Sequence, residues 1–220
     1  MNAADQASMA LQLAEWVDRI FGEADPANYE RFRRFDGICG PNEVTLLRLI
    51  EVFERPSVTL SRYSDQFLDQ AVWDLSTQAF HAVYDPAIDW IVSARFIRSF
   101  KTLFRELYAA RCRPVLGHCG EKGSPLNMSC YMWWDFDCWS PAPDPLSHNP
   151  HDSVLLESMR SILSIPHIAC KESALHGLGH WHQAQSATVD AILDSFLASE
   201  HDLPEGLREY ALNARRGYVE

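Results

Sequence analysis

Apolar residues recur along most of this chain every three or four positions. Leu13, Trp16, Val17 and Ile20 follow Met9 at i+4, i+7, i+8 and i+11; Leu46, Leu49, Ile50 and Phe53 follow Gly40-Pro41; Leu68, Ala71, Val72 and Leu75 follow Ser64. This is the period of a helix with one buried face. Ser64 is placed to cap the third of these helices. Asp85-Pro86 predicts another start, a carboxylate that accepts from free N–H groups followed by proline at the first helical position. The stripe Phe96, Phe100, Leu103 and Leu107 carries that helix to about Cys112. Val189, Ile192, Leu193, Phe196 and Leu197 form the clearest stripe of all. Period-two alternation is confined to "SVTLSRY" at 57–63, so the reading is an all-α chain of roughly eight to ten helices.

The pattern fails between 113 and 150. Pro114, Pro125, Pro141, Pro143, Pro145 and Pro150 crowd this stretch, which also holds "CYMWWDFDCW". A compact helical fold rarely keeps so long an irregular segment without a use for it. So many aromatic rings must pack, either into the core or against a partner.

The last third contains an internal match. Ile162-Leu163 aligns with Phe196-Leu197 at an offset of 34, and Glu172-Ser173-Ala174-Leu175 with Glu209-Tyr210-Ala211-Leu212 at 37. Loops holding Pro166 and Pro204 absorb the difference. Each unit is an apolar helix, a proline turn and a second helix entered through E-x-A-L, which resembles a HEAT-like repeat over residues 153–217. The resemblance implies an α-solenoid of stacked antiparallel helix pairs, because one pair cannot bury both its apolar faces. The expected organisation is one α-helical domain: capping helices over 1–40, helical pairs over 41–112, an irregular insertion over 113–150, and two pairs over 151–220. The four helices of the last part are expected at 153–164, 168–183, 187–199 and 204–216, burying Leu163, Leu175, Leu178, Ile192, Phe196 and Leu212. A scaffold of this kind offers an extended surface to a partner protein and does not by itself imply catalysis.

Charge sharpens that expectation. With 30 acidic against 19 basic residues the net charge is −11, which repels phosphate backbones and argues against nucleic acid as partner. The acids cluster. No lysine or arginine falls between Arg62 and Arg95, Lys122 and Arg160, or Lys171 and Arg208, and the pairs Asp65/Asp69, Asp85/Asp89 and Asp190/Asp194 put like charges one helical turn apart. Like charges at that spacing cost a helix about 0.2–0.5 kcal/mol. The start "MNAADQASMALQLAEW" lacks the basic region of a secretory signal, and no apolar run reaches membrane-spanning length. A cytoplasmic protein with free thiols is therefore expected.

Chemistry is concentrated in "CKESALHGLGHWH", 170–182. On a helical wheel Glu172, His176 and His180 share a polar face at roughly 60–140° from Leu175. Two imidazoles at i, i+4 can share a metal and a carboxylate can complete the set. The zincin pattern needs glutamate directly after the first histidine, where this chain has Gly177. Cys112, His118, Cys119, Cys130, Cys138, His148 and His151 are further possible ligands, but without paired C-x2–4-C spacing. P-loop, G-x-S-x-G and G-x-G-x-x-G patterns are absent.

The leading expectation is thus a non-catalytic binder of a basic protein, such as an immunity protein that neutralises a toxin, with no cofactor and no bound metal. Its surface would comprise Asp65, Asp69, Asp135, Asp137, Glu172, His176, His180, Asp190 and Asp194, with Trp133, Trp134 and Trp139 as aromatic anchor. The alternative is a metal-dependent enzyme built on Glu172, His176 and His180.

Overall fold

The computed structural model describes residues 3–22, 42–141 and 149–219; among them every regular element is helical and there is no strand. The principal helices are α1 (Ala3–Phe21), α2 (Asn42–Glu54), α3 (Asp65–Gln78), α4 (Trp90–Leu103), α5 (Leu126–Tyr131), α6 (Pro150–Leu163), α7 (Ile168–Ser199) and α8 (Glu205–Ala214). The expected capping segment beyond residue 22, together with His148, lies outside the described residues.

Local chemistry accounts for the helix starts. Ser64 Oγ accepts from Phe67 N at 3.4 Å and opens α3. Asn149 Oδ1 accepts from His151 N at 3.1 Å, with Pro150 in the first position, so α6 begins three residues before the expected 153. The helix expected from Asp85-Pro86 starts later. Asp85 Oδ1 accepts from Ala87 N inside a turn, and Asp89 takes over as cap, accepting from Ile91 N at 2.8 Å. That helical path then continues through a π turn, Phe104–Tyr108, to Arg111, close to the expected end. "SVTLSRY" contributes to a single helical turn, Pro56–Thr59, instead of a strand.

The helices expected at 168–183 and 187–199 form one element. Only Gln185 leaves helical geometry (φ −136°, ψ 42°), so the connection between them is a kink and not a loop.

Neighbours pack in sequence, α2 on α4, α4 on α6, α6 on α7 and α7 on α8, while α5 bridges α3 and α7. Leu163, Leu175, Leu178 and Phe196 are buried as expected and Ile192 partly so. Leu212 is exposed instead, because α8 turns Leu207, Tyr210, Ala211 and Ala214 inward.

The insertion fills the centre of the molecule. Trp133 lies 5.0–6.2 Å, ring centre to ring centre, from Phe53, Phe80, Phe100, Phe104 and Tyr108. Trp139 packs on Phe80, Phe96 and Phe100. Trp133, Trp134 and Trp139 are buried, which corrects their expected role as an exposed anchor. These rings are hydrophobic bulk shared by the early and late helices, within one continuous core.

Candidate metal centre

Glu172, His176 and His180 do share one face of α7, but that face is not open to solvent. Glu172 and His176 are 1 % and 3 % exposed; only His180, with 43 % of its side chain accessible, reaches the surface. The turn Met132–Asp135 packs against α7 here. Its close approach depends on Gly177, since a Cβ there would stand 2.5 Å from Trp134 Cγ. Seating Trp134 in that notch delivers the next residue, Asp135, to the two histidines.

Three atoms then converge. His176 Nε2 lies 2.9 Å and His180 Nε2 2.8 Å from Asp135 Oδ1, and the two Nε2 atoms are 3.1 Å apart. Zinc–nitrogen and zinc–oxygen bonds of about 2.0–2.1 Å, arranged tetrahedrally, put neighbouring ligand atoms about 3.3 Å apart. The triangle is within a few tenths of an ångström of that size. Burial pushes the Asp135 carboxyl up, but its hydrogen bonds to His176 and His180, and their charge, outweigh this and hold it well below the usual carboxylate range.

The back of His176 is held as well. Its Nδ1 lies 2.6 Å from the Tyr210 hydroxyl, which is 3.0 Å from the Tyr131 hydroxyl. Burial pushes both phenols up, so they remain protonated hydrogen-bonding groups. Nε2 thus faces the triangle and Nδ1 faces the Tyr210 hydroxyl, an outer contact of the kind that orients a metal-ligating imidazole.

Glu172, the carboxylate expected to complete the set, points elsewhere. It accepts from Gly117 N (2.9 Å) and His118 N (3.0 Å) and lies 2.6 Å from His118 Nδ1. Among the described residues, Asp135, His176 and His180 form the converging group of metal-ligating side chains. The cysteines proposed as ligands do not join it: Cys112, Cys130 and Cys138 are buried and only Cys119 is exposed. Burial pushes the thiols of Cys130 and Cys138 up, as for small apolar side chains.

The remaining acids are mostly held by internal partners. Asp65 lies 2.6 Å from Arg111, and Asp194 is gripped by Arg215 at 2.6 and 3.0 Å. Asp69 accepts from Ser129 N at 3.0 Å, and Asp190 lies 3.3 Å from His182. Asp137 is exposed. Of the aspartates expected on an acidic surface, Asp65 and Asp194 are thus neutralised by arginines from other segments, while Asp137 stays exposed.

Tyr210 and Tyr131 carry no signal in the sequence, and His118, a possible zinc ligand there, is instead the partner of Glu172. They reach the site from positions 34, 79 and 54 residues away from their respective partners His176, Tyr210 and Glu172, and no local spacing marks them. The chain matches no family model, no curated protein and no solved structure in the three comparisons.

Proposed function

We propose that the chain binds one divalent transition-metal ion of the zinc class through Asp135, His176 and His180, and that the metal's open position activates water for hydrolysis. The observation that carries this reading is the convergence of Asp135 Oδ1 and both Nε2 atoms to 2.8–3.1 Å. Protons alone satisfy such a triangle poorly. If both imidazoles donate to the carboxylate, two N–H groups lie side by side; if one donates to the other, the carboxylate loses a donor. A dication accepts all three lone pairs at once.

The ligand count fits catalysis better than a structural role. Structural zinc sites close four protein ligands, whereas catalytic ones keep three and leave a position for water or substrate. Here one of the three, His180, stands at the surface, so solvent or a substrate could reach an ion held by the set. An ion held by Asp135, His176 and His180 would supply an activated water and Lewis acidity there. Asp135 supplies the negative charge, and Tyr210 orients His176 so that Nε2 stays on the metal.

Purified protein should contain about one zinc-class ion per chain. Asp135→Asn and His176→Ala should each lose it, whereas Glu172→Gln should retain it, because Glu172 is turned to His118. Cobalt(II) substituted for the native ion should give the intense visible absorption of a tetrahedral centre. Protein that binds no metal at micromolar concentration, or that loses it only when Glu172 is changed, refutes the assignment.

The reading of the chain as a binder of a basic protein retains the net charge of −11 as support. It has less to stand on than the metal reading, since its aromatic anchor is buried and two of its aspartates are already paired with arginines.

A further inference from the structure

A second arrangement lies beside the metal triangle and shares none of its ligands. Glu172, buried on α7, lies 2.6 Å from His118 Nδ1 and also accepts the N–H groups of Gly117 and His118. On the far side of the same ring, His118 Nε2 lies 3.3 Å from Cys119 Sγ. The Tyr210 ring is stacked on the imidazole, 4.0 Å away and tilted by only 14°.

These contacts favour one tautomer of the neutral ring. A buried carboxylate accepts, so Nδ1 carries the proton and donates to Glu172. Nε2 is then a lone pair facing the thiol, the arrangement a general base needs. Glu172, itself held by two backbone N–H groups, and the stacked Tyr210 ring fix the base, and the nucleophile is exposed.

We propose that Cys119 is a thiol nucleophile, with His118 as its general base and Glu172 positioning the base, and that this site takes acyl groups from activated esters or thioesters. Acyl transfer is favoured over disulfide exchange because the other described cysteines, Cys112, Cys130, Cys138 and Cys170, are buried and present no resolving thiol at the surface. In the first step His118 Nε2 takes the thiol proton, Cys119 Sγ forms a bond to the acyl carbon, and the bond from that carbon to the leaving group breaks. His118 returns the proton to the leaving alcohol or thiol. Water then adds to the acyl-cysteine, the carbon–sulfur bond breaks, and carboxylic acid and free thiol are regenerated. No oxidant or reductant is consumed.

The test uses p-nitrophenyl acetate at pH 7, with release of nitrophenolate and the mass of the intact protein as readouts. Wild type should acquire one acetyl group on Cys119, about tenfold or more faster than a free low-molecular-weight thiol. Cys119→Ser should abolish the labelling. His118→Gln should slow it by roughly a hundredfold or more. Glu172→Gln should slow it by about tenfold or more and move the His118 side-chain proton from Nδ1 to Nε2, visible in its 15N shifts, whereas Glu172→Asp should recover part of the rate. The shifts separate positioning from a structural role, and His118→Gln tests the base while keeping an amide that can donate to the buried Glu172. Treatment with a chelator should leave the acylation rate unchanged, so this proposal stands or falls apart from the metal centre. Acetylation no faster than that of a free thiol, a rate unaffected by His118→Gln, or a rate lost on chelation would overturn it.

Discussion

Single residues decide whether the candidate centre assembles. The spacing of His176 and His180 is legible in the sequence, and so is the polar face they share with Glu172. Their carboxylate partner is not, because Asp135 is 41 residues from His176 and arrives by the packing of its neighbour Trp134. Gly177 is the hinge of that argument. Gly177→Ala should force Trp134 out of its notch at a cost of about 1–3 kcal/mol, the usual range for overpacking. Thermal denaturation should show the loss, and metal affinity should fall with it although no ligand is changed. Retention of both would mean that Gly177 is not what brings the turn to α7. Asp69 shows the same contrast between sequence and environment. It reads as a solvated acid, yet burial pushes its carboxyl up and the Ser129 hydroxyl and amide pull it back only in part. An acid whose pKa is raised on folding favours the fold below the ordinary carboxylate range and loses that contribution as pH rises through the raised value. Asp69→Asn keeps an acceptor for Ser129 N and removes the buried charge. The variant should therefore melt at or above wild type at pH 7, with the difference shrinking toward about pH 4; a difference that grows as pH falls would contradict this.

At the scale of elements, the apolar period located the helices well and their ends less well. Ser64 caps α3 as its side chain predicts. Asp85 does not cap α4, although Asp-Pro is a strong start signal, because two aspartates compete and the sequence does not rank them. Asp85 spends one oxygen on Ala87 N and another on Asn42 Nδ2 at 2.7 Å, which leaves Asp89 to receive Ile91 N. Asp89→Ala should accordingly destabilise the protein by about 1 kcal/mol, the typical worth of an N-cap, measurable by urea denaturation. An unchanged midpoint would show that α4 starts without that cap. The insertion was the least legible element. Its composition showed that it must pack, but not where, since the pockets that receive Trp133 and Trp139 are made by α2, α4 and the turn after α3. Long-range burial of this kind leaves no period in the sequence.

For the whole molecule, the decisive feature is that one core runs through both the early helices and the α6–α8 segment. In a stack whose units touch only their neighbours, repeats can unfold in stages. Here Trp133 contacts residues on α2 and α4 while its neighbours Trp134 and Asp135 meet α7, so the insertion ties distant parts of the chain together. Helix loss followed by circular dichroism and core loss followed by tryptophan fluorescence should coincide in a single transition. Trp133→Ala should remove about 3–5 kcal/mol from both signals together, as expected for a large ring lost from a packed core. The Asp135–His176–His180 triangle bridges the same insertion to α7, so an ion that binds it only in the folded state should shift this one transition as a whole. At a free concentration of about 100 times Kd the shift corresponds to about 2.7 kcal/mol. Chelation should reverse it, and Asp135→Asn should be insensitive to added metal. Two separate transitions, with fluorescence following only one of them, would show that the aromatic plug does not couple the two parts of the chain.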